Sequence, residues 1–322
     1  MKNILTIEGI QEVIKEKIPE GLIVSAHDDL GHHYRHTPTG QIFDSVTTQM
    51  QGVIDDSHLK VWAARLAVEH MDNSLTFNPE MLKDRNIMEQ LKDASIMKHR
   101  DTFEDAGGIG TVGHGAVEEY SIDWINTKIQ PKEVEKFISG KDAREWAILR
   151  SAIEFFNDYY FLPIASELLV CNLKDKYAGT LDCLGFVIIP EKRCTKENGR
   201  HDFWNESSKD WRKKICYTCG LKAKYKFALI DYKTSNSIQK KPKYCAQVSA
   251  YAKAFTSMTG LKPEILIIVR IDKKQAKYET LKVSDPADCY KAFLDMKKVN
   301  IWLNSKSDHG ESIIKKEIIK II

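Results

Sequence analysis

The chain has 322 residues, of which 43% are hydrophobic and 29% are charged, and its formal net charge is +3. This length allows a full buried core in one large domain or two small ones. The composition is that of an ordinary globular protein, and the nearly balanced charge neither requires nor excludes nucleic acid. No apolar run approaches the roughly 20 residues that span a bilayer, and residues 1–4 do not lead into an apolar segment like that of a signal peptide. We therefore expect an intracellular, cytoplasmic protein with no membrane partner.

The first 106 residues are predicted to form an accessory region. Its predicted elements are an amphipathic helix over 7–18, a strand over 21–24, a histidine-rich turn over 32–40 between two strands, and a helix over 58–70.

Residues 107–306 are predicted to form the core. The glycine cluster at 107–110 is typical of a helix breaker, so a helix is expected to start just after it. The remaining predicted helices cover 142–160, 242–258 and 286–303, and the predicted strands cover 165–173, 177–189, 225–233, 265–271 and 278–283. Helices flanking a mixed central sheet predict an α/β (α+β) fold. Residues 190–225 interrupt this pattern as an insertion, and residues 307–322 form a lysine-rich tail.

The strongest chemical signal is the pair Asp231 and Lys233 at the end of the apolar run 227–230. Side chains alternate along a strand, so the two project to the same side. Asp182 follows a second strand-like run and supplies another carboxylate. Carboxylate oxygens bind Mg²⁺ or Mn²⁺, and a nearby lysine can stabilise charge on a phosphate. The combination suits metal-assisted phosphodiester hydrolysis.

Each of these short motifs is met often by chance. Their context strengthens them, because both lie at strand-like runs and a helix with Gln247 and Tyr251 follows. These two residues are four apart and share one helix face.

In this order, the motifs resemble the RecB-type exonuclease branch of the PD-(D/E)XK nuclease superfamily over roughly residues 107 to 270. That branch has a helical histidine, a strand glutamate, GxxD, DxK and a helical QxxxY. The matching residues here are His114, Glu167, Gly179 to Asp182, Asp231 to Lys233, and Gln247 with Tyr251. The resemblance implies a restriction-endonuclease-like core.

The resemblance also assigns metal ligands. It implies that Asp182, Asp231 and His114 bind Mg²⁺ or Mn²⁺, whereas Tyr232 can offer only its backbone carbonyl because its side chain points to the other side of the strand. Considered alone, His114 is better explained as a histidine on a helix surface.

The other matched residues have supporting roles in such nucleases. Lys233 would orient the attacking water and stabilise developing charge, and Glu167 would help to bind the scissile phosphate or the metal. Gln247 and Tyr251 would support the site or hold the DNA strand. Glu167 is equally compatible with a solvated strand position, and Tyr251 with core packing.

A weaker similarity to phage nucleases and mitochondrial genome-maintenance exonucleases lies near the N-terminus. It comprises Tyr34-Arg35-His36, Ser45 to Thr48 and Trp62. The hydroxyls of Ser45, Thr47 and Thr48 either contact a DNA backbone or belong to an ordinary strand end, and both interpretations stay open.

The insertion contains a possible zinc site. Seven cysteines, an odd number spread unevenly, argue against a disulfide scaffold. Cys216 and Cys219 have the spacing of a metal knuckle, and Cys194 and His201 could complete four ligands. A chance CxxC is the alternative, and an iron–sulfur cluster fits the cysteine positions less well.

The insertion is also rich in cations and aromatic residues, a combination that suits a single-stranded nucleic acid as well as it suits a solvated loop. The cations are Lys192, Arg193, Lys196, Arg200, Lys209, Arg212, Lys213, Lys214, Lys222 and Lys224, and the aromatic residues are Phe203, Trp204, Trp211 and Tyr217.

The function expected from these residues is a metal-dependent DNA exonuclease of replication, recombination or repair. A phage origin, with a location in the host cytoplasm, is compatible with the resemblance, as is a helicase or recombinase partner. The alternatives are a non-catalytic DNA-binding or recombination module on the same fold and a site-specific endonuclease.

Overall fold

The computed structural model describes residues 6–28, 31–53, 57–138, 142–205, 210–235 and 242–305. The predicted tail at 307–322 and Lys209 lie outside these residues. The helices are α1 (Ile7–Lys17), α2 (Val46–Gln49), α3 (Ser57–Phe77), α4 (Arg85–Thr127), α5 (Ala143–Asp158), α6 (Pro242–Thr259) and α7 (Pro286–Leu303). The strands are β1 (Ile23–Asp28), β2 (Gly31–His36), β3 (Gln41–Asp44), β4 (Leu162–Asn172), β5 (Tyr177–Val187), β6 (Phe203–Asn205), β7 (Lys213–Cys216), β8 (Lys222–Lys224), β9 (Lys226–Lys233), β10 (Ile265–Ile271) and β11 (Tyr278–Lys282).

A mixed five-stranded sheet with helices on both faces forms the centre of the protein, which confirms the predicted α/β fold. Its strand order is β11-β10-β9-β5-β4, in which only β9 and β10 run parallel. One face packs against α1, α2, α6 and α7, and the other against α4 and α5. The alternation along β9 explains both layers, because Phe227 and Leu229 enter the first core whereas Ala228 and Ile230 enter the second.

The predicted core elements are confirmed with small shifts at their ends. Local signals define several of these ends, since Asp142 caps α5 and Asp285 caps α7 by accepting hydrogen bonds from backbone N–H groups of the first turn. The N-terminal region is tied to the core, because Ile10 and Ile14 of α1 lie in the same cluster as Val170 of β4.

The prediction that a helix starts after the glycine cluster at 107–110 is wrong. Helix α4 starts at Arg85, where the Asp84 carboxylate accepts hydrogen bonds from Asn86 and Ile87, and it continues through the glycines. The helix needs small residues on this side, because a Cβ at Gly113 would lie 2.3 Å from Cδ1 of Ile148 on α5. Gly110, where a Cβ would lie 3.0 Å from Thr234 Oγ1, and Gly113 therefore mark close tertiary contacts rather than a helix end.

The histidine-rich stretch 32–40 is only partly a turn. His32 to His36 belong to β2, which pairs with β1 and β3, and the turn is confined to residues 37–40. Tyr34 and His36 are buried and lie two residues apart, so their side chains share one face of this small sheet, whereas the buried His33 points to the other face.

Two further differences concern length. Helix α3 extends to Phe77 rather than ending at residue 70. The insertion at 190–225 contains its own three-stranded antiparallel sheet, in the order β6-β7-β8. Within the residues that the structure describes, no helix combines the length and the apolarity needed to cross a membrane.

Candidate functional site

The two motif aspartates lie where the central sheet forks. The antiparallel ladder between β5 and β9 ends at the pair Cys183 and Ile230, so Asp182 and Asp231 would form the next pair. Beyond this point β9 stays paired with β10, and β5 stays paired with β4. The Asp182 carboxylate fills the fork by accepting a hydrogen bond of 2.6 Å from the Tyr232 N–H. The fork thus holds two carboxylates side by side at a break in the backbone hydrogen bonding.

Asp231 and Lys233 form an ion pair on the same side of β9. Lys233 Nζ lies 2.6 Å from Asp231 Oδ2, and the two side chains are 17% and 1% exposed. Burial raises the pKa of Asp231 to about 6, with Asp182 adding to the rise and Lys233 opposing it. Burial lowers the pKa of Lys233, but Asp231 and Asp182 outweigh it and hold that pKa above its usual value. Among the described residues, Asp231 Oδ1 accepts no hydrogen bond.

His114, Glu167 and Asp182 line one open cleft of about 540 Å³. His114 comes from α4, and its ring lies edge-on to that of Tyr232 with centroids 6.3 Å apart. Burial, helped by Lys233, lowers the pKa of His114 to about 4. The imidazole is therefore neutral at physiological pH, which is the form that ligates metals.

Glu167 lies across from Asp182 at the same level of the fork. Its backbone adopts a φ of +49°, and the β4–β5 ladder skips it, pairing Ser166 with Cys183 and Leu168 with Leu181. A positive φ in a residue other than glycine is uncommon and is characteristic of strained functional positions. Burial raises the pKa of Glu167 to about 8, and Asp182 contributes to the rise.

Glu118 also lines this cleft, although it belongs to none of the sequence motifs. It lies one turn beyond His114 on α4, and burial raises its pKa. It lies four residues from His114, so both side chains share one helix face, and this spacing is the sequence signal that could have identified Glu118.

Gln247 and Tyr251 support the site from behind. Both are buried, at 7% and 6% exposure, and Gln247 Nε2 donates a hydrogen bond of 2.9 Å to Tyr251 Oη. The Tyr251 ring packs on Gly179, where a Cβ would lie 2.5 Å from Cε1 of the ring. Burial raises the pKa of the Tyr251 hydroxyl well above its usual value. Of the two roles expected for this pair, supporting the site fits its burial better than holding a strand.

The N-terminal residues approach the site from β2. Tyr34 Oη lies 3.2 Å from Thr180 Oγ1, two residues before Asp182. Ser45 is buried and caps α2, since its hydroxyl accepts a hydrogen bond of 2.9 Å from the Thr48 N–H. Thr47 is exposed on that helix. The Ser45 hydroxyl is thus engaged in a cap, as expected of a strand end that leads into a helix.

A second cluster lies in the insertion and brings together the four residues predicted as zinc ligands. The ligand atoms of Cys194, His201, Cys216 and Cys219 all lie within 4.8 Å of one another. Cys194 Sγ is 3.7 Å from Cys216 Sγ, and Cys219 Sγ is 3.3 Å from His201 Nδ1. A tetrahedral zinc site with Zn–S bonds of about 2.3 Å has ligand atoms about 3.8 Å apart. These four residues can therefore hold a metal ion.

Surrounding contacts orient these ligands. His201 Nε2 lies 2.8 Å from the Lys192 carbonyl; a carbonyl only accepts, so Nε2 carries the proton and the Nδ1 lone pair faces the cysteines. Burial raises the pKa of Cys216, but the backbone N–H groups of Cys219 and Thr218, together with His201, lower it to about 6 overall. Gly220 closes the knuckle with a φ of +70°.

Comparisons with known proteins identify no family. No family model matches the chain, and no curated protein matches it. Among solved structures, one titled "Crystal structure of SSO0001" aligns with 61% of this chain and 76% of its own, at 15% identity and a TM-score of 0.24. A likeness this low supports no conclusion about fold or function.

Proposed function

We propose that the chain is a metal-dependent deoxyribonuclease with a PD-(D/E)XK core, which hydrolyses DNA from its ends in replication, recombination or repair. The observation that carries the proposal is the fork, where Asp182 lies next to the ion pair of Asp231 and Lys233 and lines one cleft together with His114 and Glu167. The order of these residues along the chain, as in RecB-type exonucleases, favours an exonuclease over an endonuclease.

The donor set fits Mg²⁺ or Mn²⁺. The Asp231 Oδ1 atom is buried and lacks a hydrogen-bond donor among the described residues, and burial together with neighbouring carboxylates raises the pKa values of Asp231 and Glu167. Lys233 is the cation paired with Asp231, and it leaves Asp182 and Glu167 as further carboxylates; oxygen-rich sites of this kind suit Mg²⁺ and Mn²⁺. Asp182, Asp231 and His114 would hold the ion. When bound, the ion supplies Lewis-acid polarisation of the phosphate and lowers the pKa of the attacking water.

The protein's own residues do the rest of the chemistry. Water adds to phosphorus as the bond from phosphorus to the leaving oxygen breaks, and negative charge builds up on the phosphate oxygens. Lys233 stabilises this charge from a fixed position, since Asp231 and the Tyr244 ring, 5.3 Å from Nζ, hold its ammonium group. Glu167 faces the same cleft and helps to position the water or the scissile phosphate.

The insertion binds Zn²⁺ in this proposal. Three thiol groups and one imidazole nitrogen form a closed four-ligand set of the structural type. Such an ion would stabilise this small three-stranded insertion.

Cleavage of end-labelled DNA tests the function. Linear DNA with free ends should be degraded when Mn²⁺ or Mg²⁺ is added to the purified protein, and covalently closed circular DNA should stay intact. Asp182→Ala, Asp231→Ala and Lys233→Ala should each abolish cleavage, whereas Asp295→Ala, an exposed carboxylate on α7, should not.

Each rival function predicts a different result. Cleavage of closed circles would assign an endonuclease. DNA binding without cleavage under any divalent ion would assign a non-catalytic module, and full activity of any of the three site variants would exclude the proposed site.

A further inference from the structure

The small sheet of the insertion has two chemically different faces. Phe203 pairs with Cys216 across β6 and β7, and both point inward, where Phe203 packs on Tyr160 with centroids 4.8 Å apart. Lys214 shares this inner side and lies over the Tyr225 ring. These contacts attach the inner face to the core and fix the orientation of the sheet.

The outer face carries aromatic rings and lysines. Trp204 pairs with Ile215, and Ile215 pairs with Lys222, so these side chains share one side. Lys213 and Lys224 form the next pair on that side. All three lysines are exposed. The outer face is thus a row of cations beside a tryptophan.

Trp204 and Tyr217 form a stacked pair at the edge of this face. Their ring centroids are 5.2 Å apart with an interplanar angle of 27°, and the residues are 45% and 75% exposed. Adjacent exposed rings of this size, rimmed by charged residues, are typical of interaction sites. Base stacking on aromatic side chains, together with phosphate pairing by lysines, is the way in which proteins bind single strands.

The charge balance favours a polyanion. The strands β6, β7 and β8 contain four lysines and no acidic residue. The nearby carboxylate of Asp210 lies 3.8 Å from Lys224 Nζ and offsets part of this charge. Asp202 is engaged by Lys196.

We propose that this outer face, defined by Trp204, Tyr217, Lys213, Lys222 and Lys224, binds single-stranded DNA. The inference rests on the proposed function for its substrate class and deepens it by naming the strand form. The face adjoins the start of β9, and Asp231 lies five residues beyond Lys226, about 17 Å along the strand. A strand bound there would be held several nucleotides from the fork.

Fluorescence anisotropy tests this inference. The probe is fluorescein-labelled oligo(dT), titrated with the full-length protein without added divalent ion. Trp204→Ala and Tyr217→Ala should each weaken binding about tenfold, the loss of one stacked base. Trp204→Phe should retain most of the affinity. Lys213→Gln and Lys224→Gln should each reduce the slope of log K against log salt by about 0.7.

Matched controls lie on α7. Trp302→Ala, which is 56% exposed, and Lys298→Gln should leave binding unchanged. Thermal unfolding and the metal content of each variant show whether the insertion has kept its fold. Trp204→Phe keeps an aromatic ring at this position, so a comparison with Trp204→Ala shows whether binding depends on the ring.

Unchanged oligo(dT) binding by the Trp204→Ala and Tyr217→Ala double variant would overturn the inference. If the same variants lost as much affinity for duplex DNA as for oligo(dT), the single-strand assignment would be overturned. If they lost affinity only for oligo(U), the assignment to DNA would be overturned. Cleavage is measured separately. If the face binds oligo(dT) but the protein does not cleave DNA, only the proposed function is refuted. If the protein cleaves DNA but substitutions on the face do not change oligo(dT) binding, only this inference is refuted.

Discussion

Gly179 and Tyr251 are in direct contact although 72 residues separate them along the chain. The Tyr251 ring occupies the space of a Cβ at Gly179, which would lie 2.5 Å from Cε1. Gly179 opens the segment that ends in Asp182, so the ring on α6 supports the strand that presents this carboxylate. The two motifs are therefore two halves of one packing contact.

We expect Gly179→Ala to destabilise the protein by about 1–3 kcal/mol, because the added methyl group must displace a fully packed ring. The free energy of unfolding in urea measures this. Replacing Tyr251 with Leu should reduce the cost of Gly179→Ala, since the clash is with the ring.

Gly108→Ala is the matched control, because a Cβ at Gly108 meets no atom within 4 Å. It should be neutral or stabilise α4 by about 0.5–1 kcal/mol. If both substitutions lowered the free energy of unfolding equally, the packing role of Gly179 would be contradicted.

Lys233→Met should destabilise the protein, because it leaves the Asp231 carboxylate buried without its cation. Breaking a buried pair in this way costs about 3–5 kcal/mol, and protonation of Asp231 would reduce that figure at low pH. The double variant Asp231→Asn with Lys233→Met should recover most of the loss in a urea titration.

The exposed pair of Lys298 and Asp295 on α7 provides the comparison, at 76% and 56% exposure. Lys298→Met should change stability by less than about 1 kcal/mol. A Lys233→Met protein as stable as the Lys298→Met protein would show that Asp231 does not depend on the lysine.

The parts of the site that could be predicted are those with local signals. Asp231 and Lys233 follow an apolar run and share a strand side, and Gln247 and Tyr251 share a helix face, so spacing alone relates each pair. The central strands and α5 to α7 were predictable for the same reason, because their apolar periodicity is strong.

The unpredicted parts depend on contacts distant in sequence. The glycines of α4 resemble breakers until Ile148 is seen against Gly113. The contact of Tyr34 with Thr180 joins residues 146 apart. The fork between β5 and β9 is a property of strand pairing, which no single segment encodes, and the irregular pairing of β4 with β5 places Glu167 across from Asp182.

Loss of one ligand should release the metal from the insertion. We expect Cys219→Ser and His201→Gln to lose the ion that the wild-type chain retains on purification, because a closed site needs all four ligands. Metal content by mass spectrometry measures this, and thermal unfolding should show a lower midpoint in the same variants.

Cys289→Ser is the control, since Cys289 lies on α7 outside the cluster. It should keep the full metal content. Wild-type protein that carries neither zinc nor iron after purification in air and under anaerobic conditions would refute the metal site.

Glu118 provides a test of the cleft that separates geometry from motif matching. It belongs to none of the matched motifs, yet its carboxylate shares the cleft with Glu167 and Asp182. Its negative charge adds to the field at the fork and contributes to the raised pKa of Glu167.

We therefore expect Glu118→Gln to weaken Mn²⁺ binding several-fold, as measured by calorimetry on the full-length protein. The adjacent Glu119 is exposed, so Glu119→Gln should leave the affinity unchanged although it removes the same charge from the same helix. Equal effects of the two substitutions would mean that only the net charge of α4 matters, whereas a difference between them would mean that the cleft side of the helix forms part of the cation site.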